Sequence, residues 1–228
     1  MSQPTITAGT TCDRETSVTR SLLGYGVLAG PVYLLVSLTE MLVRPGFDPV
    51  RHQWSLLSNG HLGWVHVTNF VLTGLMLVAF AVGLRRALRT GPAATWAPRL
   101  IGAYGACLVG AGLFRADPAL GFPPGTPDGP PAVSWHGVLH LVCGGVGFTC
   151  LVVTCFLVAR RYAAEDRSGW AVFSRLTGVL FLAGFVTVAT GAGSAWANLV
   201  FTAATILSWA WLVAVAVNRY RAAGQVSE

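Results

Sequence analysis

The residues of this sequence that can do chemistry are histidines and carboxylic acids near the ends of long apolar segments. His136 and His140 are four positions apart, so on a helix their imidazoles lie on one face, one turn apart. Two such imidazoles can bind one zinc ion if a third histidine or a carboxylate completes the site. A divalent metal such as zinc is therefore a candidate cofactor, and its further ligands would come from His52, His66, Glu40 and Asp117.

The same groups allow other chemistry. The pair lacks the glutamate of the protease pattern His-Glu-x-x-His, so that mechanism is not indicated. Haem is not favoured either, because only His66 with His136 or His140 could lie at matched depth on two helices. As general acids or bases, the candidate catalytic residues are His136, His140, Asp117 and Glu40.

Polar residues recur at helical spacing inside the apolar segments. They occur at residues 33–44, 66–73 and 198–205. Polar groups in such segments usually face the interior of a bundle or a wet cavity. We therefore predict an outward-facing pocket of histidines and acids that binds or acts on a lipid-like or amphipathic small molecule. The residues expected to bind this molecule are Arg51, His66, Asn69, Arg115 and Trp135.

Several of these residues also have a purely structural explanation. Glu40 and Arg44 are four positions apart and can form a salt bridge that makes a buried carboxylate tolerable. Arg115 and Asp117 can form an interfacial pair without a further role. Ser134 precedes an apolar helix and fits its N-cap.

Composition identifies the elements that must hold these residues. Hydrophobic residues make up 54% of the chain and charged residues 11%, which is too little charge for the surface of a soluble domain. Six apolar segments each approach the roughly 20 residues that span a bilayer as a helix. They are residues 22–43, 65–84, 101–114, 138–159, 170–192 and 198–217. We expect an all-α, six-helix transmembrane domain at 21–218, a disordered cytoplasmic tail at 1–20 and a second cytoplasmic tail at 219–228.

The basic residues predict an orientation for this bundle. All fifteen are arginine, and only Arg44, Arg51 and Arg115 fall on one side of the six expected spans. The positive-inside rule then places both termini in the cytoplasm of a multi-pass cell-membrane protein. It also explains the net charge of +6 without nucleic acid, so the expected partner is the lipid bilayer. The absence of lysine beside abundant Ala, Gly and Val suggests a GC-rich bacterial genome.

Two long loops lie on the expected outer side. The first covers residues 44–64, and the second, residues 116–134, contains the run Gly-Phe-Pro-Pro-Gly-Thr-Pro-Asp-Gly-Pro-Pro. Proline-rich backbone of this kind is extended and semi-rigid, so it is suited to cover the mouth of the bundle.

Three segments resemble a known family. They are the run from Arg51 to Gly74, the Asp-Pro…Gly-Phe-Pro-Pro-Gly stretch at 117–125, and Trp-His-Gly-x-Leu-His at 135–140. Together they resemble the bacterial membrane proteins classed as domain of unknown function 998 (DUF998), over nearly the whole chain after residue 20. The resemblance implies a six-helix integral membrane protein and brings no activity, substrate or cofactor with it.

Three functions remain open at this stage. The protein can be a non-catalytic transporter, sensor or binding subunit, or a structural subunit of a membrane complex. It can also be an enzyme acting on a lipidic substrate, either like a membrane terpene cyclase or as a metal-dependent hydrolase. Proton-coupled transport is less favoured, because the acidic residues lie near the ends of the segments and not at their centres.

Overall fold

The protein is built from α-helices. In a computed structural model, residues 8–191 and 193–225 are described, with side chains from residue 14 onward. These residues form six α-helices and a short 3-10 helix, Trp54–Ser58, between the first two. The helices are α1 Ala8–Val43, α2 Gly63–Ala87, α3 Trp96–Leu113, α4 Trp135–Ala164, α5 Ser168–Thr190 and α6 Ala195–Gly224. The all-helical fold class is thereby confirmed.

Five of these six described helices, all except α3, are long and apolar enough to cross a membrane. Helix α3 has 18 residues. That is about 27 Å at 1.5 Å per residue. Pro98 and Arg99 lie in its first turn and lower its mean hydropathy. The shortest of the expected apolar segments, residues 101–114, therefore lies in the one described helix that is less apolar than the other five.

Helix α1 begins earlier than expected. Its backbone is helical from Ala8, within the range 1–20 where a disordered tail was expected, and residues 1–7 lie outside the described residues. The stretch 8–20 contains no proline, and the Thr19 hydroxyl donates to the carbonyl of Glu15 at 2.9 Å within the helix. Helix α6 likewise continues to Gly224, through much of the predicted second tail.

The six helices form a closed ring in chain order, in which each helix packs against the next and α6 packs against α1. Between α2 and α3 the two backbones come close at Gly74 and Gly105. A Cβ on Gly74 would lie 2.5 Å from the carbonyl oxygen of Gly105, so neither position has space for a side chain.

The ring has two different ends. The α1–α2 and α3–α4 loops and the short α5–α6 turn lie at one end, which we call the loop end. The opposite end, called the arginine end, carries Arg85 and Arg86 in the last turn of α2 and Arg161 in the last turn of α4.

Aromatic side chains fill the middle of the ring. The Trp209 ring stacks on that of Tyr33 with centroids 4.7 Å apart, and its centroid lies 6.2 Å from that of Tyr104. Toward the arginine end, the indole of Trp211 donates to the Ser174 hydroxyl at 2.9 Å. Toward the loop end the interior is not filled by side chains, and a cavity remains.

Candidate functional site

The cavity, called the chamber below, has a volume of about 700 Å³. Its floor contains Tyr104, Phe181 and Trp209, and its roof contains Trp54 from the first long loop and Pro130 from the second. Ligand sites of small molecules span roughly 300–1,000 Å³ and are mostly apolar with a few placed polar groups. The chamber therefore has the size and lining of a ligand site.

His140 is one of the few polar groups that line the chamber. Its Nδ1 lies 3.0 Å from the carbonyl oxygen of Ala111 and 2.9 Å from that of Phe114. Because both oxygens can only accept, Nδ1 carries the proton and the Nε2 lone pair remains to accept a hydrogen bond. The residue is only 8% exposed, but Nε2 is not among the buried atoms without a partner, so this lone pair is accessible.

Two residues that line the chamber each have a buried polar atom without a partner among the described residues. The Nδ2 of Asn198 donates to the carbonyl oxygens of Pro49, Val50 and His52 at 3.0–3.2 Å, which fixes the orientation of the amide. Its Oδ1 is buried and unpaired, as is the Nε1 of Trp54. Buried polar atoms are normally hydrogen-bonded, so an unpaired acceptor and an unpaired donor need an explanation.

A charged cluster lies beside the chamber and is formed by Glu40, Arg44 and His66. Glu40 Oε1 is 3.1 Å from Arg44 Nη1, and Glu40 Oε2 is 2.8 Å from His66 Nδ1. The guanidinium also donates to the carbonyl oxygens of Leu57 and Asn59. The Glu40–Arg44 salt bridge expected from the sequence is thus present, and His66 joins it from α2.

Phe70 separates this cluster from the chamber. Its ring centroid is 4.7 Å from that of His66 and 6.3 Å from that of His140, and it lines the chamber together with His140. The carboxylate of Glu40 therefore bonds α1 to α2 and the first long loop behind the chamber wall. This placement argues against the catalytic role expected for Glu40.

Asp117 lines the chamber but its carboxylate caps α4. Oδ2 accepts from the backbone N–H of Ser134 at 2.9 Å, and Oδ1 accepts from the Ser134 hydroxyl. Ser134 is the N-cap, as expected, and its hydroxyl oxygen accepts from the N–H of Gly137. A Cβ on Gly137 would collide with Asp117 Oδ2, so the carboxylate needs a glycine there. Asp117 is therefore a capping residue, and its expected partner Arg115 is exposed, with no ion pair among the described residues.

The residues expected to bind a ligand lie mostly elsewhere. Arg51 forms an exposed ion pair with Asp128 at 2.8 Å, and Trp135 is 64% exposed. Asn69 is buried between α1 and α2, where it donates to the carbonyl oxygen of Tyr33. Among the described residues that line the chamber, none is Arg51, His66, Asn69, Arg115 or Trp135. The structure therefore does not bring these five residues together at the chamber.

The two histidines of α4 have different surroundings. His136 is exposed and its ring centroid is 3.5 Å from that of Trp135, whereas His140 is buried at the chamber. Within the described part of the chain, no three His, Cys, Asp or Glu side chains are grouped closely enough to hold a metal ion. The zinc hypothesis therefore finds no ligand set in these residues.

The structure adds residues to the site that the sequence did not indicate as ligand-binding. Asn198, Thr202 and Thr205 form a polar stripe on α6, and all three line the chamber. Their helical spacing in the sequence is the feature that indicates a shared helix face. Trp54 also lines the chamber, and no local sequence pattern places it at the roof.

The fold and the chamber define a class: a closed bundle of apolar, membrane-type helices with an internal cavity at one end. A model of the family described as "Protein of unknown function (DUF998)" matches residues 27–218. The chain belongs to this family, as the resemblance indicated. No curated protein and no solved structure matches the chain.

Proposed function

We propose that the protein binds a lipid-like or amphipathic small molecule in the chamber. The observation that carries this proposal is a large, mostly apolar cavity lined by His140, whose Nδ1 is held by two carbonyl oxygens and whose Nε2 has no partner among the described residues. A ligand with an apolar body and a hydroxyl group would fill the cavity and donate a hydrogen bond to His140 Nε2.

Binding without catalysis is favoured over the enzymatic alternatives. Acid-initiated cyclisation needs a protonated acid at the substrate, but the carboxylates of Glu40 and Asp117 accept hydrogen bonds from Arg44, His66 and Ser134. Metal-dependent hydrolysis needs a ligand set, which the described residues lack. His140 remains as a hydrogen-bond acceptor for the ligand. A sensor, carrier or binding subunit is therefore the function that these contacts support best.

The proposal includes a topology. All six helices would span the cell membrane, with both termini in the cytoplasm and the loop end outside. The arginine distribution supports this, because Arg85, Arg86 and Arg161 lie at the end opposite the chamber. Helix α3, although less apolar, lies in the ring between α2 and α4 and packs against both.

A matched pair of variants on α3 tests ligand binding. Ala111 is buried at the chamber, whereas Ala106 is exposed on the same helix. Ala111→Phe should fill part of the chamber, and Ala106→Phe adds the same ring outside it. Thermal unfolding in detergent micelles is followed with added hexadecanol, hexadecanoic acid or a prenyl alcohol.

A ligand at 100 times its Kd stabilises by about 2.7 kcal/mol. For a chain of this length that raises the unfolding midpoint by roughly 5–11 °C. We expect this rise in the wild type and in Ala106→Phe, and a much smaller one in Ala111→Phe. If none of the three probes stabilises the wild type, or if all three proteins respond equally, the proposed binding in the chamber is wrong.

A further inference from the structure

The chamber reaches the outer surface of the ring between α4 and α5. Leu141 of α4 lines the chamber and is 71% exposed. Ala189 of α5 also lines it and is exposed, and Gly145 and Phe185 beside them are half-buried. Because these residues border the chamber and the outside at once, they mark an opening, called the side gap below.

The contacts between α4 and α5 begin at the edge of the side gap, at Phe185, and continue away from the loop end. The Phe148 ring packs against Phe181 and Phe185, each at a centroid distance of 5.2 Å. Still farther along, Gly178 lies against Cys155, at a position where an added Cβ would meet the Cys155 Cβ at 3.0 Å. The two helices are therefore packed together toward the arginine end and leave the chamber open near the loop end.

The roof of the chamber is held by hydrogen bonds between its two loops. His52 Nε2 lies 2.9 Å from the carbonyl oxygen of Leu120, and Asn59 Nδ2 donates to that of Ala116 at 2.9 Å. Asn198 adds its three bonds from α6 to the first loop. These contacts hold the two loops together and hold the first loop to α6, so entry through the roof would have to break them.

The surface around the side gap is apolar. Both helices expose large hydrophobic side chains there, each at least 45% exposed, and these are Val138, Leu141, Val142, Val146, Leu182 and Val186. Such a surface on a membrane-type helix contacts lipid chains. The side gap therefore opens toward the acyl chains of the bilayer.

The polar groups in the chamber favour a neutral ligand head. His140 offers a neutral acceptor, and the carboxylate of Asp117, which also lines the chamber, is already bound by Ser134. Among the described residues that line the chamber there is no arginine, and the sequence contains no lysine. A carboxylate or phosphate head would find no cation to pair with, whereas a hydroxyl can both donate and accept.

We propose that a membrane-dissolved lipid with a small neutral head, such as a fatty or prenyl alcohol, enters the chamber from the bilayer through the side gap. This inference rests on the proposed binding function and adds the route and the chemical class of the ligand. The hydroxyl donates to His140 Nε2, while the apolar chain extends through the side gap or toward the floor.

Photolabelling in phosphatidylcholine vesicles tests this route. The probe is hexadecanol that carries a diazirine, and labelled residues are mapped by mass spectrometry after irradiation. Gly145→Trp places a large ring at the side gap, and Gly169→Trp is the matched control at the start of α5. An added Cβ meets no atom within 4 Å at either glycine, so both substitutions start from open space. Ala189→Trp closes the side gap from the opposite helix.

We expect labelled chamber residues in the wild type and in Gly169→Trp, and loss of this labelling in Gly145→Trp and Ala189→Trp. If either gap variant fails to fold, as judged by its thermal unfolding, the other provides the same comparison. Equal chamber labelling in all folded variants would overturn the side route and leave the proposed function intact. No chamber labelling of the wild type by this probe or by the matching diazirine fatty acid would overturn the proposed function. Preferential labelling by the fatty acid would overturn the neutral head.

Discussion

Loss of Arg44 is the sharpest test of the buried charged cluster. Its side chain is only 5% exposed and donates to Glu40 and to two loop carbonyl oxygens. Arg44→Met keeps an apolar stem of similar length but removes all these donors. Glu40 then keeps only His66, and the carbonyls of Leu57 and Asn59 lose a buried partner. Removing one partner of a buried ion pair costs about 3–5 kcal/mol, so we expect a loss of that size.

The matched control is Arg51→Met. It breaks the ion pair with Asp128, whose two side chains are 43% and 70% exposed. Exposed pairs contribute about 0–1 kcal/mol, so this variant should resemble the wild type. The free energy of unfolding is measured for both by denaturant titration in the same detergent. In thermal unfolding, the Arg44→Met midpoint should fall by roughly 6–20 °C.

Equal losses in the two variants would refute the reasoning, because the Glu40 carboxylate would then not depend on Arg44 in a dry environment. The double variant Glu40→Gln/Arg44→Met provides a second check. It removes the charge that the single substitution leaves without its partner, so part of the lost stability should return. A double variant whose loss equals the sum of the two single losses would show that the charges are not coupled.

Three other predictions concern single contacts. Gly137→Ala should lower the thermal midpoint, because the added methyl group would collide with the Asp117 carboxylate that caps α4. Helix caps of this kind contribute about 0.5–2 kcal/mol, and an unchanged midpoint would contradict the prediction. Asn198→Leu should speed amide hydrogen exchange at residues 48–54, because three bonds to that loop are lost, and unaltered exchange would speak against them. Burial raises the pKa of Glu165, but hydrogen bonds and charge from Arg219 and Arg161 outweigh it and set the pKa below its ordinary value of 4.5. The stabilisation from Glu165 is then complete above pH 4.5 and is lost as the pH falls through the folded-state pKa, so the higher midpoint of the wild type over Glu165→Gln should vanish in acid.

The helices could be predicted from the sequence because length and hydropathy are local properties. Their ends could not be predicted equally well, as α1 shows. The polar residues around Arg14 carry no apolar pattern, yet the helix includes them. Near this end, the guanidinium of Arg20 lies 4.9 Å from the ring centroid of Tyr220 on α6. That contact depends on the packing of α6 against α1, and a local sequence pattern cannot predict this packing.

Within the site, spacing predicted the contacts that form inside one helical turn. The Glu40–Arg44 salt bridge and the Ser134 cap are of this kind. His66 is 26 residues from Glu40, and Asp117 is 17 residues from Ser134 across the proline-rich loop. These pairings depend on how α1 packs on α2 and on the path of a loop, so the sequence left the acids as free catalytic candidates.

The histidine pair on α4 shows that helical spacing alone does not predict what surrounds each residue. Residues four apart share a face, but His136 lies in the first turn of the helix, which begins at Trp135. That turn lies at the edge of the ring, and the neighbouring indole packs on the imidazole. His140, one turn deeper, meets the carbonyl groups at the end of α3. One histidine therefore faces out and the other faces the chamber.

The energetics of the loop end favour access from the side. Lifting the roof would break the bonds from Arg44 to Leu57 and Asn59. Hydrogen bonds to charged groups contribute about 1.5–3 kcal/mol each, so this movement would cost several kcal/mol before the other roof contacts are counted.

At the side gap, a ligand displaces only apolar contacts such as those of Leu141. Lipid chains replace these contacts at little cost, because they are as apolar as leucine. Access through the bilayer therefore leaves the charged cluster intact, and the cluster can hold the roof while the chamber exchanges its ligand.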